Sequence, residues 1–117
     1  MPDQRLIIAR LFLVIDAQDW ATLPDLFTET AQYERPGYPP LHGRAAIDRF
    51  YREQRIVACG THHLHGCITG TSEVCCWGSF TGVSRTGEPL NELFSDWYEI
   101  DHGLIATRRT FFFQPAI

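Results

Sequence analysis

EVCCWGSFTGVSRTGEPLNELFSDWYEIDHGLIATRRTFFF, residues 73–113, carries the architecture of this chain. It divides into three runs, Glu73 to Ser84, Pro89 to Ile100 and Leu104 to Phe113. Between them lie Arg85-Thr86-Gly87 and Asp101-His102-Gly103, residues that tolerate the dihedrals of hairpins. Within the runs the side chains alternate. Val74, Cys76, Gly78 and Phe80 share one face, and Cys75, Trp77, Ser79 and Thr81 the other. Phe94, Asp96, Tyr98 and Ile100 oppose Leu93, Ser95, Trp97 and Glu99 in the same way. A further run from Thr61 to Thr69, closed by Gly70-Thr71-Ser72, completes a four-stranded antiparallel meander. Both faces carry large apolar groups, so both are expected to be covered. One face would take helices and a pocket; the other, with Trp77 and Trp97, would take a second copy in a homodimer through the sheet.

Outward from the meander, toward the N-terminus, the period changes to that of helices. From Asp3 to Asp16 the apolar positions Ile7, Ile8, Leu11, Phe12, Val14 and Ile15 form a broad stripe. Thr22 and Asp25 have the spacing of a capping box with Pro24 in the first turn, which predicts a short second helix carrying Leu26 and Phe27 inward. Ala31 to Arg35 reads as a short strand ended by the rigid loop Pro36-Gly37-Tyr38-Pro39-Pro40. Gly43 then opens a third helix. Its apolar face is Ala46, Ile47, Phe50 and Tyr51, while Arg44, Asp48, Arg52 and Glu53 face water. Helices first and strands after read as α+β, and 117 residues suit one domain, 1–117.

Composition excludes several classes of partner. A formal charge of −4, with ten scattered arginines and no lysine, makes no nucleic-acid footprint. The apolar stretch from Leu6 to Ile15 is interrupted by Arg10 and followed by no small-residue cleavage site, so neither a signal peptide nor a membrane span is expected. Cys59, Cys67, Cys75 and Cys76 lack the spacing of a disulfide framework, and reduced thiols in a cytoplasm follow. The vicinal Cys75 and Cys76 lie inside a strand with no adjacent base and read as core residues.

The stretch from Pro39 through His42, Gly43, Arg44, Ala45, Ala46, Ile47, Asp48, Arg49, Phe50 and Tyr51 to Arg52 resembles the loop and third helix of bacterial ketosteroid isomerases. Ile15-Asp16-Ala17-Gln18-Asp19, Ala31 to Pro36, Phe94-Ser95-Asp96-Trp97-Tyr98 and Gly103-Leu104-Ile105 fall in register with the same family. The resemblance implies a cone-shaped, curved antiparallel sheet wrapped around three N-terminal helices, the fold of nuclear transport factor 2. The wider superfamily includes SnoaL-like polyketide cyclases, limonene epoxide hydrolase and non-catalytic binding proteins, so fold alone names no reaction. By the same resemblance Asp96 matches the protonated oxyanion-hole aspartate and Tyr51 a tyrosine that supports the hole. The catalytic tyrosine's position is Leu11 here and the general-base aspartate's is Arg35, which argues against steroid isomerisation by the familial route.

Four residues are candidates for the chemistry. Asp96 has apolar period-two neighbours, so its carboxylate faces inward, either to handle a proton or to pair with an arginine. His62, at the start of the first long strand, titrates near neutrality and suits proton relay; Gly60-x-His62 is similar to a pattern in SnoaL-like relatives. Alternation turns His63 and His65 away from His62, so no metal is expected on this strand. Arg35 shares a face with Tyr33 that, by the resemblance, looks into the pocket. There its donor fork would hold an anionic group or an enolate oxygen, unless it pairs with Asp96 or reaches solvent. Arg108 is placed by the resemblance on the pocket side with Thr110 and Phe112, where it would keep Asp96 a carboxylate; a one-residue slip would bring in Arg109 instead.

Leu11, Tyr33, Tyr38, Phe50, Tyr51, Phe94, Tyr98 and Phe112 are expected to line the pocket, and Trp77, Trp97, Phe111 and Phe113 to serve core and dimer interface. The reading as a whole is an enzyme without cofactor, an isomerase or polyketide cyclase working by proton transfer beside a carbonyl of a small hydrophobic molecule. The alternatives are a non-catalytic ligand-binding or protein-interaction module of the same fold and an epoxide hydrolase.

Overall fold

In the computed structural model, which describes residues 3–115, helix α1 (Gln4–Asp16) starts after Asp3, whose carboxylate accepts the Arg5 N–H at 3.0 Å. The expected domain, 1–117, includes Met1, Pro2, Ala116 and Ile117, which lie outside the described residues. An isolated helix of 13 residues is marginal in water. Burial of Ile8, Leu11, Phe12, Val14 and Ile15, at about 1.5–3 kcal/mol for each fully buried side chain, is what holds α1 on the sheet.

The second expected helix is a correction. Leu23–Leu26 makes one 3-10 turn, and Thr22 forms no side-chain cap. Phe27 turns extended because the sheet claims it: strand β1 (Phe27–Glu34) begins there, with Phe27 paired to Ile105. Among the described residues there are therefore two α-helices and not three. The second, α2 (Arg44–Arg49), follows a two-residue strand β2 (Leu41–His42) and runs into a single π turn, Phe50–Gln54. Gly43, at φ 88°, supplies the left-handed backbone needed to enter α2, and its N–H donates to the Ala31 carbonyl at 2.7 Å.

The meander is present in strands β3 (Val57–Thr69), β4 (Glu73–Ser84), β5 (Pro89–Asp101) and β6 (Leu104–Phe112), with β3 starting at Val57 instead of the expected Thr61. With β1 and β2 it makes one curved six-stranded sheet in the order β2-β1-β6-β5-β4-β3. Only β1 and β6 run parallel, joined through α2 and the meander. Glycines let the strands press together: a Cβ on Gly60 would collide with the Phe80 ring, and one on Gly78 with the His63 carbonyl.

The inward face of the sheet and α1 enclose one core that includes Leu23, Ala31, Tyr33, Ile47, Phe50, Val74 and Ile105. The outward face leaves Trp77, Leu93, Phe111 and Phe113 exposed, so the core role expected of Trp77, Phe111 and Phe113 is not met within one chain. Trp97 is half-buried and donates its indole N–H to Glu73 at 2.8 Å. Of the vicinal thiols only Cys76 is core; alternation puts Cys75 in solvent. Among the described residues no helix is long and apolar enough to cross a membrane.

Candidate functional site

Register places Asp96 and Arg108 on one face of adjacent strands. Asp96 pairs with Thr110 and Tyr98 with Arg108 across β5 and β6, so Arg108 is buried while Arg109 lies outside, bonded to Glu34 at 2.8 Å. The Asp96 carboxylate is fully buried and heavily engaged. Its Oδ2 accepts the Tyr98 hydroxyl at 2.6 Å and the Arg108 Nε and Nη2 at 3.2 and 3.1 Å, while Oδ1 accepts Thr110 Oγ1 at 2.6 Å. Thr110 has one proton and gives it to Asp96, so the 2.9 Å bond between Tyr33 and Thr110 must be donated by Tyr33. Arg108 spends Nη1 on the Tyr51 hydroxyl oxygen at 2.7 Å, and its Cζ sits 4.5 Å from the Tyr33 ring centroid. Burial opposes charge on Arg108, but Asp96 and then Tyr33, Tyr51 and Tyr98 outweigh it and hold the guanidinium well above its usual range. Burial also pushes the Tyr51 phenol up to about 12 against the pull of Arg108, so Tyr51 keeps a proton to donate.

The second cluster forms between α1 and β3. Asp16 receives the His62 backbone N–H at Oδ2, 2.8 Å, and His62 Nδ1 at Oδ1, 2.6 Å. A carboxylate can only accept, so Nδ1 carries the proton and Nε2 the lone pair. The ring is stacked on Phe12, with centroids 4.5 Å apart, and lies 4.7 Å from Phe80. Burial lowers the His62 pKa below 6.5, only partly offset by the hydrogen bond and charge of Asp16, so the imidazole is neutral at pH 7.

These clusters meet at a cavity of about 40 Å³, whose walls are Tyr33, Arg35, Tyr51, Arg55, Val57, His62, Phe80, Phe94, Arg108, Thr110 and Phe112. Three of the four candidates for chemistry, His62, Arg35 and Arg108, are therefore brought together. Asp96 is not on the wall; it sits behind it, its oxygens taken by Arg108, Tyr98 and Thr110. Of the expected lining, Tyr33, Tyr51, Phe94 and Phe112 are in place. Leu11, Phe50 and Tyr98 are buried in the core behind it, and half-buried Tyr38 meets the edge of Phe50 in the proline loop. Leu11 is displaced by its neighbour: one residue is about 100° of helix, and Phe12 is the side chain that reaches His62.

The apolar wall residues Val57 and Phe80 and two charged residues, Asp16 and Arg55, were not anticipated from sequence. Asp16 had a signal, because an acid in the last turn of a helix opposes the helix dipole and calls for a compensating partner. Arg55 had none. The π turn, closed by the Arg55 N–H on the Phe50 carbonyl at 2.9 Å, shifts the phase of the helix and brings Arg55 to the side of Tyr51.

The profile of the family described as "SnoaL-like domain" matches residues 8–108. Among solved structures, an NTF2-like protein of unknown function from Burkholderia pseudomallei superposes with a TM-score of 0.85 at 12% identity, over 96% of this chain and 92% of that one. An LEH-like epoxide hydrolase of M. tuberculosis gives 0.80 at 14% identity, over 91% and 79%. The epoxide hydrolase/cyclase-like enzyme SalBIII, of pyran ring formation in the polyether salinomycin, gives 0.81 at 19% identity, over 92% and 88%. At such identities the likeness establishes the α+β NTF2-like fold.

Proposed function

This chain belongs to the family of SnoaL-like domains, and from that premise we propose that it is a small-molecule enzyme of the isomerase or cyclase type, moving a proton beside a carbonyl. The observation that carries the reading is the Asp16–His62 pair at the cavity wall, with Nδ1 held at 2.6 Å and Nε2 left basic. In the proposed step Nε2 of His62 takes a proton from the carbon next to a carbonyl. Charge then develops on the carbonyl oxygen, where the Tyr51 hydroxyl donates and the Arg108 and Arg35 cations stabilise the negative charge. Asp96 supports this chemistry as a positioning residue: it anchors Arg108, which in turn orients Tyr51. The cavity volume of about 40 Å³ matches roughly three waters, which suits the reacting end of a ligand with the rest outside. Val57, Phe80, Phe94 and Phe112 supply its apolar wall.

The small cavity and the saturated Asp96 favour, as a second reading, a ligand-binding module of the same fold. Epoxide opening by an Asp-Arg-Asp set finds less support, since among the described residues the carboxylate bonded to Arg108 is Asp96 alone. The experiment that separates proton transfer from binding is solvent-deuterium incorporation at the α-carbon of 2-tetralone, followed by NMR. Wild-type protein should accelerate exchange, and His62→Gln should lose about 10²–10⁴ of that acceleration. Equal exchange with both proteins would reject His62 as the base.

A further inference from the structure

Tyr51, Arg55 and Val57 form a partition. On one side they line the inner cavity; on the other they line a cleft of about 290 Å³ that also takes in Trp20, Arg52 and Arg85. That volume is near the lower end for small-ligand sites. The cleft is one-sided in charge, with three guanidiniums and no carboxylate among its lining residues. Arg52 is committed to Asp48, with Nε at 2.9 and 3.1 Å from its two oxygens. Arg85 spends Nε and Nη2 on the backbone carbonyls of Arg55 and Arg52, at 2.7 and 3.3 Å, which are neutral acceptors.

Arg55 stands apart from both. Its residue is 6% exposed, and its Nε has no hydrogen-bond partner among the described residues. The guanidinium lies against a pair of rings that also touch each other, with Cζ 5.1 Å from the Trp20 centroid and 5.3 Å from that of Tyr51, and the two centroids 5.6 Å apart. Burial lowers its pKa; Tyr51 and, more weakly, Asp16 act against this, while Arg35 and Arg85 add repulsion. Asp16 is already engaged by His62. A desolvated, immobilised cation beside further cations is unfavourable by itself, and an anion placed on it would restore the balance.

We propose that this cleft binds the carboxylate of a monocarboxylate with an apolar or aromatic body, and that Arg55 is its anchor. The planar fork of arginine matches a carboxylate, and Trp20 offers an apolar face beside it. The inference rests on the proton-transfer reading for the direction of the ligand: carboxylate in the outer cleft, reacting carbon past Tyr51 toward His62.

The test is calorimetric titration of the full chain with cinnamate and with cinnamamide, its neutral isostere. Cinnamate should bind about tenfold or more tightly, since a hydrogen bond to a charged group exceeds one to a neutral group by that order. Added salt should weaken cinnamate and leave cinnamamide unchanged, a comparison that needs no variant. Arg55→Gln, checked for folding by near-ultraviolet circular dichroism, should remove the preference. Equal affinity of the two ligands for wild-type protein, or an unaltered preference in R55Q, would overturn the proposal. A carboxylate preference without deuterium exchange would uphold the cleft and remove the proton-transfer reading; exchange without the preference would do the reverse.

Discussion

His62 is governed by two opposed influences, burial that favours the neutral ring and Asp16 that favours the charged one, and burial is the larger. Asp16→Asn keeps an acceptor for Nδ1 but removes the charge, so the His62 pKa should fall further below 6.5. Imidazole titration by NMR checks this, and a titration that does not move would remove Asp16 from its positioning role. The same balance gives stability a pH dependence. Because the folded-state pKa lies below the unfolded value of about 6.5, the unfolded chain takes up the proton first as pH falls. Stability from this group is thus complete above pH 6.5 and declines as pH drops from there toward the folded pKa. Urea midpoints should fall less steeply across that window in His62→Gln than in wild type.

Between elements, the decisive contact is the one β5 makes with β6. Arg108 is buried with Asp96 as its counter-ion, and both belong to strands whose register is set by eight paired positions. Removing one member of such a pair strands the other charge in a medium that cannot solvate it. Asp96→Asn should therefore cost about 3–5 kcal/mol in denaturant unfolding, a loss expected of a buried pair. A change within about 0.5 kcal/mol, the scale of an ordinary surface substitution, would mean that Arg108 finds another partner. The π turn after α2 is the other decisive element. A regular helix through Gln54 would shift the phase at Arg55 and separate it from Tyr51 and the cleft.

For the molecule as a whole, the outward face of the sheet sets the remaining expectation. Trp77, Ser95 and Phe111 are paired in a row across β4, β5 and β6, and the Phe113 N–H donates to the Leu93 carbonyl at 3.1 Å beside it. Trp77, Leu93, Phe111 and Phe113 are all exposed, so a largely apolar surface, interrupted by Ser95, faces water in a single chain. We expect a second copy to cover it. Light scattering should report a homodimer, and Phe111→Glu should shift it to monomer without altering His62 titration. Wild-type protein that stays monomeric at high micromolar concentration would refute this.

Much of the fold was legible because its signals are local. Period-two alternation and the turns at Gly70, Gly87 and Gly103 specify a meander whichever way it pairs, and the stripe from Ile8 to Ile15 specifies a buried helix. The inward aim of Asp96, Tyr33 and Arg108 followed from that alternation together with the family resemblance. Leu23–Leu26 misled because a capping pattern competes with a strand whose partner, β6, lies far along the chain. The Asp16–His62 bond spans 46 residues, and the choice of Arg108 over Arg109 depends on a register that one residue would invert. Arg55 depends on a π turn with no local code. Patterns of hydrophobicity say which way a side chain points; what it meets there depends on pairing between distant segments, and only the folded chain fixes that.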